Sequence, residues 1–189
     1  MKKDREKWDR KYLENPELLA KRAPSKMVAK YAKLAPFKEA LDIACGGGRH
    51  LLYLASLGFR VVGIDISKVA IKMLAKIVDK SKIELIEADL DSYKFEKNRY
   101  AFVVMSNYLD RDVIKRAEES LVVDGIFVVE TYIEDAINQK PNLNPNFLLK
   151  KGELEKIFKD FKILEYTEFE NEQYEKYKMK KVAIVAKKL

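Results

Sequence analysis

Histidine and cysteine are nearly absent from the sequence, and their scarcity argues against several classes of protein. The 189 residues include one histidine, His50, and one cysteine, Cys45. A single cysteine forms no internal disulfide, and a single histidine provides neither a multi-histidine metal site nor a spare base for a nucleophilic triad. We therefore expect no disulfide framework, no bound metal and no triad hydrolase.

Long apolar runs are also missing. Arg60 and Asp65 interrupt the richest apolar region, so no run approaches the roughly 20 residues that a membrane-spanning helix needs. The first ten residues, MKKDREKWDR, contain no apolar stretch that would serve as a signal peptide. We therefore expect a cytoplasmic protein without a membrane partner.

Charges of both signs are abundant and evenly mixed along the chain. Lysine and arginine number 37 and aspartate and glutamate 30, which gives a net charge of +7 without a basic block. This balance permits a nucleic-acid partner but does not indicate one. The length and the 48% of hydrophobic residues predict one globular domain over residues 1–189, and they leave the oligomeric state open.

Apolar runs of strand length alternate with segments of helical periodicity from residue 36 onward. This alternation predicts an α/β fold with a mostly parallel sheet, and two consecutive strands at the end predict an antiparallel last strand. Helices predicted over 4–14 and 16–34 make residues 1–35 an N-terminal helical cover for a core of 36–189. Residues 133–150 contain two prolines and four asparagines and therefore predict a long connection, of the kind that often covers a functional site. The predicted strands are 40–44, 60–64, 83–88, 100–105, 126–130, 161–169 and 181–186.

Glycine is scarce but clustered, and acidic residues follow the cluster at regular places. Five of the seven glycines lie within eighteen residues, and Gly46–Gly48 are consecutive between a strand and a helix. Such a turn lets a ligand approach the backbone closely. Asp42 lies in the first strand, Asp65 ends the second and Asp89 ends the third. Ligands bind open α/β sheets at these carboxyl ends, where an acid such as Asp65 accepts hydrogen bonds from ribose hydroxyls.

Two cofactor classes are compatible with this arrangement. A dinucleotide fingerprint needs G-x-G-x-x-G/A, and the chain matches it at Gly46 and Gly48 but carries Leu51 at the third small position. That mismatch disfavours close packing of the helix over a pyrophosphate. S-adenosylmethionine has no phosphate, and its amino-acid part would lie on the glycines. A dinucleotide-dependent oxidoreductase is the alternative that Leu51 weighs against.

The segment LDIACGGGRHLLYLASLGFRVVGIDIS resembles the first motifs of class I S-adenosylmethionine-dependent methyltransferases. The likeness continues through IEADLDSY, FVVMSNYLDRDVI and DGIFVVETY. Within the superfamily, LDIACGGGRH, Asn107–Arg111 and NPNFLLKKGEL are most similar to the small tellurite-resistance and thiopurine methyltransferase-like group. The resemblance implies a Rossmann-like, doubly wound, seven-stranded sheet. Ala44 departs from the family pattern, which usually has a glycine there.

By position, the resemblance implies that residues at the strand ends hold S-adenosylmethionine. Asp65 and Ile66 would contact the ribose, Asp89 and Leu90 the adenine, and Asn107 the sulfonium region. The D/N-P-P-Y/F signature of amino-group methyltransferases is absent, which argues against methylation of amino groups on DNA bases. The residues implied around the methionine part are Asp42, Ala44, Gly46 and Gly48.

Other residues are candidates for binding the molecule that accepts the methyl group. Trp8 and Tyr12 lie in KWDRKY, which resembles the N-terminal lid segment of the same group; the alternative is ordinary aromatic packing. Tyr108 follows the fourth strand, where substrate-facing residues of the superfamily lie. Arg49 and Arg111 would bind an anionic substrate, and a solvated position is the alternative for each. The candidate substrate-binding residues are Trp8, Tyr12, Tyr108 and Arg111. The candidate catalytic residues are Tyr12, His50 and Asn107, with capping as the alternative for His50.

These observations predict a methyltransferase that transfers a methyl group in line to a small-molecule acceptor. An RNA methyltransferase is the alternative suggested by the charge of +7. The 189 residues show no appended RNA-binding module, so the small molecule is preferred. Tyr12 or His50 would remove a proton if the acceptor were a hydroxyl or an amine.

Overall fold

The computed structural model describes residues 2–171 and 176–189, and its centre is one seven-stranded sheet. The strands begin and end close to the predicted limits, and the largest difference is a fifth strand that is longer than expected. The strands are β1 (Glu39–Ile43), β2 (Arg60–Asp65), β3 (Ile83–Glu87), β4 (Tyr100–Ser106), β5 (Leu121–Tyr132), β6 (Phe161–Glu170) and β7 (Lys180–Lys188).

The strand order is β3-β2-β1-β4-β5-β7-β6. The first five strands in this order are parallel, and β7 pairs antiparallel with both β5 and β6. This topology confirms the predicted Rossmann-like sheet with an antiparallel last strand. Because the strand order reverses between β1 and β4, their carboxyl ends flank the crevice in which ligands bind such sheets.

Within residues 2–171 and 176–189, six α-helices flank the sheet, and polar side chains cap several of them. The Ser67 side chain accepts a hydrogen bond from the Ala70 N–H at the start of one helix. Asp110 caps another by accepting from the N–H groups of Asp112 and Val113. The helices are α1 (Lys2–Glu14), α2 (Lys26–Tyr31), α3 (Arg49–Ser56), α4 (Lys68–Leu74), α5 (Arg111–Glu118) and α6 (Glu153–Ile157).

The prediction of one continuous helix over 16–34 is wrong. A short 3₁₀ helix spans Pro16–Leu19, and α2 begins only at residue 26. Pro24 disfavours helical backbone at the residue before it, and Ser25 caps α2 by accepting from the Val28 N–H at 3.3 Å. The chain therefore joins two short helices through an irregular segment, residues 20–25.

Apolar residues cover both faces of the sheet, because successive strand side chains point to opposite sides. Leu41 and Ile43 of β1 pack in one buried cluster with α5 and α6, whereas Ala40 packs in the other with α2 and α3. Within the part of the chain that the structure describes, no helix has the length and apolar character needed to cross a lipid bilayer.

Candidate active site

The glycine turn joins β1 to α3 through left-handed backbone. Ala44, Gly46 and Gly48 have φ values of 55°, 50° and 75°. The Gly48 N–H donates to the Cys45 carbonyl at 2.8 Å, and the Cys45 N–H donates to the Ile64 carbonyl at 3.0 Å. The turn is therefore pinned to the end of β2, and Ala44 adopts the backbone that explains why related sequences favour glycine there.

Asp42 is buried directly beneath this turn. Its Oδ2 accepts from the Leu51 N–H at 3.0 Å and so fixes the first turn of α3 to β1. Burial raises the pKa of the Asp42 carboxyl to about 7, while the Leu51 hydrogen bond and the Arg49 charge oppose that rise. Asp42 is thus a carboxyl group whose charge changes near neutral pH.

Asp42 is expected to make the stability of the free protein depend on pH. Between about pH 4 and 7 the folded chain holds a proton that the unfolded chain has released, so its free energy of unfolding falls as pH rises through this range. Asp42→Asn keeps an oxygen for the Leu51 N–H and does not ionise. Urea unfolding measures the free energy of unfolding at pH 5 and at pH 8. Between these two pH values, this free energy should fall by on the order of 3 kcal/mol more in wild type than in Asp42→Asn. Equal losses would contradict the shift, since all other titrating groups are shared.

Asp65 joins the glycine turn to the start of α4. Its Oδ2 accepts from the Gly46 N–H at 2.8 Å, and its Oδ1 accepts from the Ser67 N–H at 2.8 Å. Burial raises the pKa of Asp65, and these two N–H groups oppose the rise. Ile66 follows it, partly exposed. Asp65 therefore stands where a ribose-binding acid is predicted, and it also shapes the turn.

The residues predicted for the adenine lie in a tight turn after β3. The Asp89 side chain accepts from the Asp91 N–H at 3.1 Å, and its carbonyl accepts from the N–H groups of Ser92 and Tyr93. Leu90 is buried in the core beside them. The Ala88 N–H donates to the Asp65 carbonyl at 3.1 Å, which ties this turn to the predicted ribose acid.

Asn107 and Tyr108 follow β4 on the other side of the crevice. Asn107 is exposed and left-handed, with φ of 58°, and its N–H donates to the Glu130 carbonyl at 2.8 Å. A non-glycine residue in this conformation is often found at functional sites. Burial raises the pKa of Tyr108, and the charges of Asp110 and Asp89 raise it further. Tyr108 therefore lies near the turn predicted to hold the adenine.

Helix α1 and the segment after it cover the glycine turn. The Tyr12 hydroxyl lies 3.0 Å from the position that a Cβ would take on Gly46, and the Leu19 backbone lies 2.9 Å from the equivalent position on Gly47. The rings of Trp8 and Tyr12 are 5.6 Å apart, so Trp8 packs beside the covering tyrosine. The N-terminal segment is therefore a cover over the predicted methionine site.

Asp9 fastens this cover to α4. Its Oδ1 accepts from the Ser67 hydroxyl at 2.6 Å and from the Val69 N–H at 3.1 Å. Asp9→Ala removes a cap worth about 1 kcal/mol, so trypsin should cleave after Arg10 and Lys11 about fivefold faster. Glu6→Ala, at an exposed position of the same helix, should leave the rate unchanged. Equal rates for wild type and Asp9→Ala would contradict the fastening role.

His50 is buried and holds the same covering segment. Its Nε2 accepts from the Ser25 N–H at 3.2 Å. Burial lowers the pKa of His50 well below its ordinary value, with further lowering by the charges of Arg49, Lys181 and Arg22. His50 is therefore neutral at physiological pH, with one ring nitrogen engaged in positioning the N-terminal segment. A catalytic role for His50 stays a prediction.

Arg111 makes contacts within the protein that the sequence did not indicate. Its Nε and Nη2 donate to the Glu153 carboxylate at 2.6 and 3.1 Å, and its Nη groups also donate to the Asn146 and Leu148 carbonyls. These bonds fasten the 133–150 connection beside the crevice. The predicted contact of Arg111 with substrate is untested, and its observed contacts shape the wall of the site.

Sequence reasoning named Arg49 as a candidate for binding an anion but missed the buried group of charges to which it belongs. The Arg49 side chain is only 10% exposed, and its Nη2 lies 3.3 Å from Ser106 Oγ and 3.4 Å from Glu130 Oε1. Lys181 Nζ lies 3.9 Å from the same Glu130 oxygen. Glu130 ends a predicted strand, which was an available signal, but nothing local in the sequence places the Lys181 side chain near it. The alternative of a solvated Arg49 is wrong.

Comparisons with known proteins show which proteins this chain is similar to. A family model described as a methyltransferase domain matches residues 40–125. The probable S-adenosyl-L-methionine-dependent methyltransferase TehB of Haemophilus influenzae is 28% identical over 174 residues, which is 83% of this chain and 59% of the relative. The chain therefore spans less than two thirds of the length of that relative.

Solved structures show the same fold. The crystal structure of TehB from Haemophilus influenzae matches with a TM-score of 0.77 and 26% identity, covering 88% of this chain and 63% of TehB. A methyltransferase structure from Methanosarcina mazei matches with a TM-score of 0.70 and 21% identity, covering 89% of this chain and 99% of the other. Residues 40–125 of the chain thus match a methyltransferase domain, and the chain shares the fold of TehB, which is described as a probable S-adenosyl-L-methionine-dependent methyltransferase.

Proposed function

We propose that the protein transfers the methyl group of S-adenosylmethionine in line to a small-molecule acceptor that is ionised before the attack. One observation carries this proposal: the carboxyl ends of β1, β2 and β4 lie next to one another beneath the N-terminal segment. Asp42 and Asp65 flank the glycine turn, Tyr12 lies over it, and Asn107 follows β4, which pairs with β1 beside the turn. This arrangement offers a cofactor site, an acceptor side and a means of excluding water.

The residues at this edge fit S-adenosylmethionine better than a dinucleotide. Carboxylates such as Asp42 and Asp65 accept hydrogen bonds from an ammonium group and from ribose hydroxyls, whereas a pyrophosphate needs N–H donors. In this turn the Gly46 N–H already donates to Asp65. That N–H is therefore engaged within the protein, which disfavours a pyrophosphate on the glycines.

For this reaction the protein must mainly align the acceptor with the methyl group and exclude water from the site. When bound, S-adenosylmethionine supplies an activated methyl group on its sulfonium. The transfer breaks the methyl–sulfur bond as the acceptor–methyl bond forms, and the sulfur leaves as a neutral thioether. Tyr12 and Trp8 would close the site against water, and Asn107 would orient the sulfonium region toward the acceptor.

Neither candidate base is well suited to removing a proton. Burial raises the pKa of Tyr12, with the Asp65 charge adding to the rise, so its hydroxyl remains protonated. The Nε2 of His50 accepts from the Ser25 N–H, and burial lowers its pKa. These properties support an acceptor, such as a thiolate or a chalcogen oxyanion product, that needs no deprotonation at the moment of attack.

The buried cations at the same edge support an anionic acceptor. Arg49 and Lys181 both approach Glu130 at the ends of β5 and β7, and the Arg49 guanidinium also reaches Ser106 at the end of β4. The two cations exceed the single Glu130 carboxylate by one positive charge, and positive charge in a buried site attracts anions and lowers the pKa of a thiol that binds nearby. We therefore infer that this side of the crevice receives the acceptor.

Measuring S-adenosylhomocysteine formation with a panel of acceptors tests this proposal. The panel comprises small thiols, chalcogen oxyanions, alcohols, amines and total RNA. We expect turnover with thiols or chalcogen compounds, at a rate that rises with pH until the acceptor is ionised. Tyr12→Phe, which keeps the covering ring and loses the hydroxyl, should retain at least about half of kcat because no base is lost.

Two results would overturn parts of this proposal. Turnover of RNA alone, with a steep loss at higher salt, would replace the small-molecule acceptor by a nucleic acid. Turnover of alcohols or amines that falls about 100-fold in Tyr12→Phe would establish a general base and contradict an ionised acceptor.

We further propose a single methyltransferase domain over residues 1–189, in which residues 1–35 cover the core of 36–189. Its proposed partners are the cofactor and the small acceptor, in the cytoplasm. Separation of a 133–189 fragment that folds alone in a proteolysis experiment would contradict the single domain, because β5, β6 and β7 share one sheet.

A further inference from the structure

Arg116, in the last turn of α5, reaches across to the turn that follows β3. Its Nη1 donates to the Tyr93 carbonyl at 2.7 Å and its Nη2 donates to the Leu90 carbonyl at 2.6 Å. The guanidinium carbon also lies 5.7 Å from the centre of the Phe95 ring. The planar fork of the guanidinium thus holds two carbonyls of one short turn.

The turn that Arg116 holds is the one predicted to contact adenine. Residues 89–93 are organised by Asp89, whose carbonyl accepts from the Ser92 and Tyr93 N–H groups at 3.2 and 3.0 Å. Arg116 adds a tether between this irregular segment and the helix after β4. The same helix follows Tyr108, whose pKa is affected by the charges of Asp89 and Arg116. Arg116 therefore links the two sides of the crevice.

We propose that Arg116 is a positioning residue for adenine recognition. It sets the position of the Asp89–Tyr93 turn, and so of the backbone and side chains of Asp89 and Leu90, without itself touching the cofactor. Loss of the tether leaves two carbonyls without their charged donor and lets the turn shift. A shift of the turn affects the exocyclic group of the base more than the ribose or methionine parts. The proposal rests on the proposed placement of the adenine on this turn.

Calorimetric titration with S-adenosylhomocysteine and S-inosylhomocysteine tests the proposal, because the two ligands differ only at the purine 6-position. Wild type should bind the adenine compound more tightly. Arg116→Gln should reduce this preference by about tenfold, the loss expected for hydrogen bonds from a charged donor. Arg116→Lys, which retains the charge and can reach one carbonyl, should have an intermediate preference. A merely structural role would lower the melting temperature and leave the ratio of the two dissociation constants unchanged.

Arg99→Gln is the matched control. Arg99 also lies over an aromatic ring, that of Tyr100, but it pairs with Glu39 at the amino end of the sheet. Its substitution should leave the preference for adenine unchanged. An unchanged preference in folded Arg116→Gln, or in Arg116→Lys if the glutamine variant does not fold, would overturn the positioning role. A wild type that binds both ligands equally would instead overturn the adenine placement on which the role depends.

Discussion

Replacing Asp65 with alanine is expected to weaken S-adenosylmethionine binding by at least about 100-fold. The Asp65 carboxylate accepts from the N–H groups of Gly46 and Ser67, both at 2.8 Å, and is proposed to accept from the ribose hydroxyls as well. Alanine removes the ribose acceptor and leaves two buried N–H groups without their partner. Titration calorimetry on the purified variant measures the change directly.

Asp79 provides a matched control for this experiment. It lies two residues before a serine, as Asp65 does, and its Oδ1 accepts from the Ser81 N–H at 2.9 Å. Asp79 is exposed and lies outside the site, so Asp79→Ala should bind S-adenosylmethionine as wild type does. Asp65→Asn, which keeps one acceptor oxygen, should bind S-adenosylmethionine with an affinity between those of Asp65→Ala and wild type. Binding by Asp65→Ala within threefold of wild type would contradict the role given to this carboxylate.

Gly63→Ala is expected to cause a large loss of stability. A Cβ on Gly63 would lie 2.2 Å from Leu51 Cδ1 and 3.2 Å from Cys45 Sγ, and Leu51 is fully buried. Overpacking of this kind costs about 3 kcal/mol and should lower Tm by roughly 10 °C in a chain of this size. Thermal unfolding followed by circular dichroism measures the shift.

Leu51→Ala should relieve the clash created at Gly63. The double variant Gly63→Ala with Leu51→Ala should be more stable than the sum of the two single losses predicts, because the smaller residue makes room for the added methyl group. Additive losses, or an unchanged Tm in Gly63→Ala, would contradict the close approach of α3 to β2. The experiment separates this packing role from the cofactor-binding roles proposed for Gly46 and Gly48.

The strands and their order of appearance could be predicted because buried strands and amphipathic helices differ in period. The N-terminal cover was harder. Val28 and Tyr31 lie in the buried face of α2, but the prediction of a continuous helix across Pro24 overlooked the restriction that a proline places on the residue before it. The irregular segment before Ser25 depends on tertiary contacts, among them the His50 hydrogen bond, that local sequence does not encode.

Site residues that directly follow a strand could be predicted from the sequence. Site residues that come together only through the pairing of distant strands could not. Asp42 and Asp65 lie at adjoining strand ends, as their places in the chain implied. The Arg49, Glu130 and Lys181 group depends on the antiparallel register of β5 and β7, which brings distant residues together. A period in the sequence indicates which face a residue occupies, whereas register determines which residues it faces.

Titration calorimetry of the purified protein with S-adenosylmethionine, S-adenosylhomocysteine and NAD tests the central claim most directly. If the carboxyl edge of the sheet is an S-adenosylmethionine site, both sulfur compounds should bind with dissociation constants of about micromolar order and NAD should not bind. Binding of NAD alone, or of none of the three, would contradict the claim.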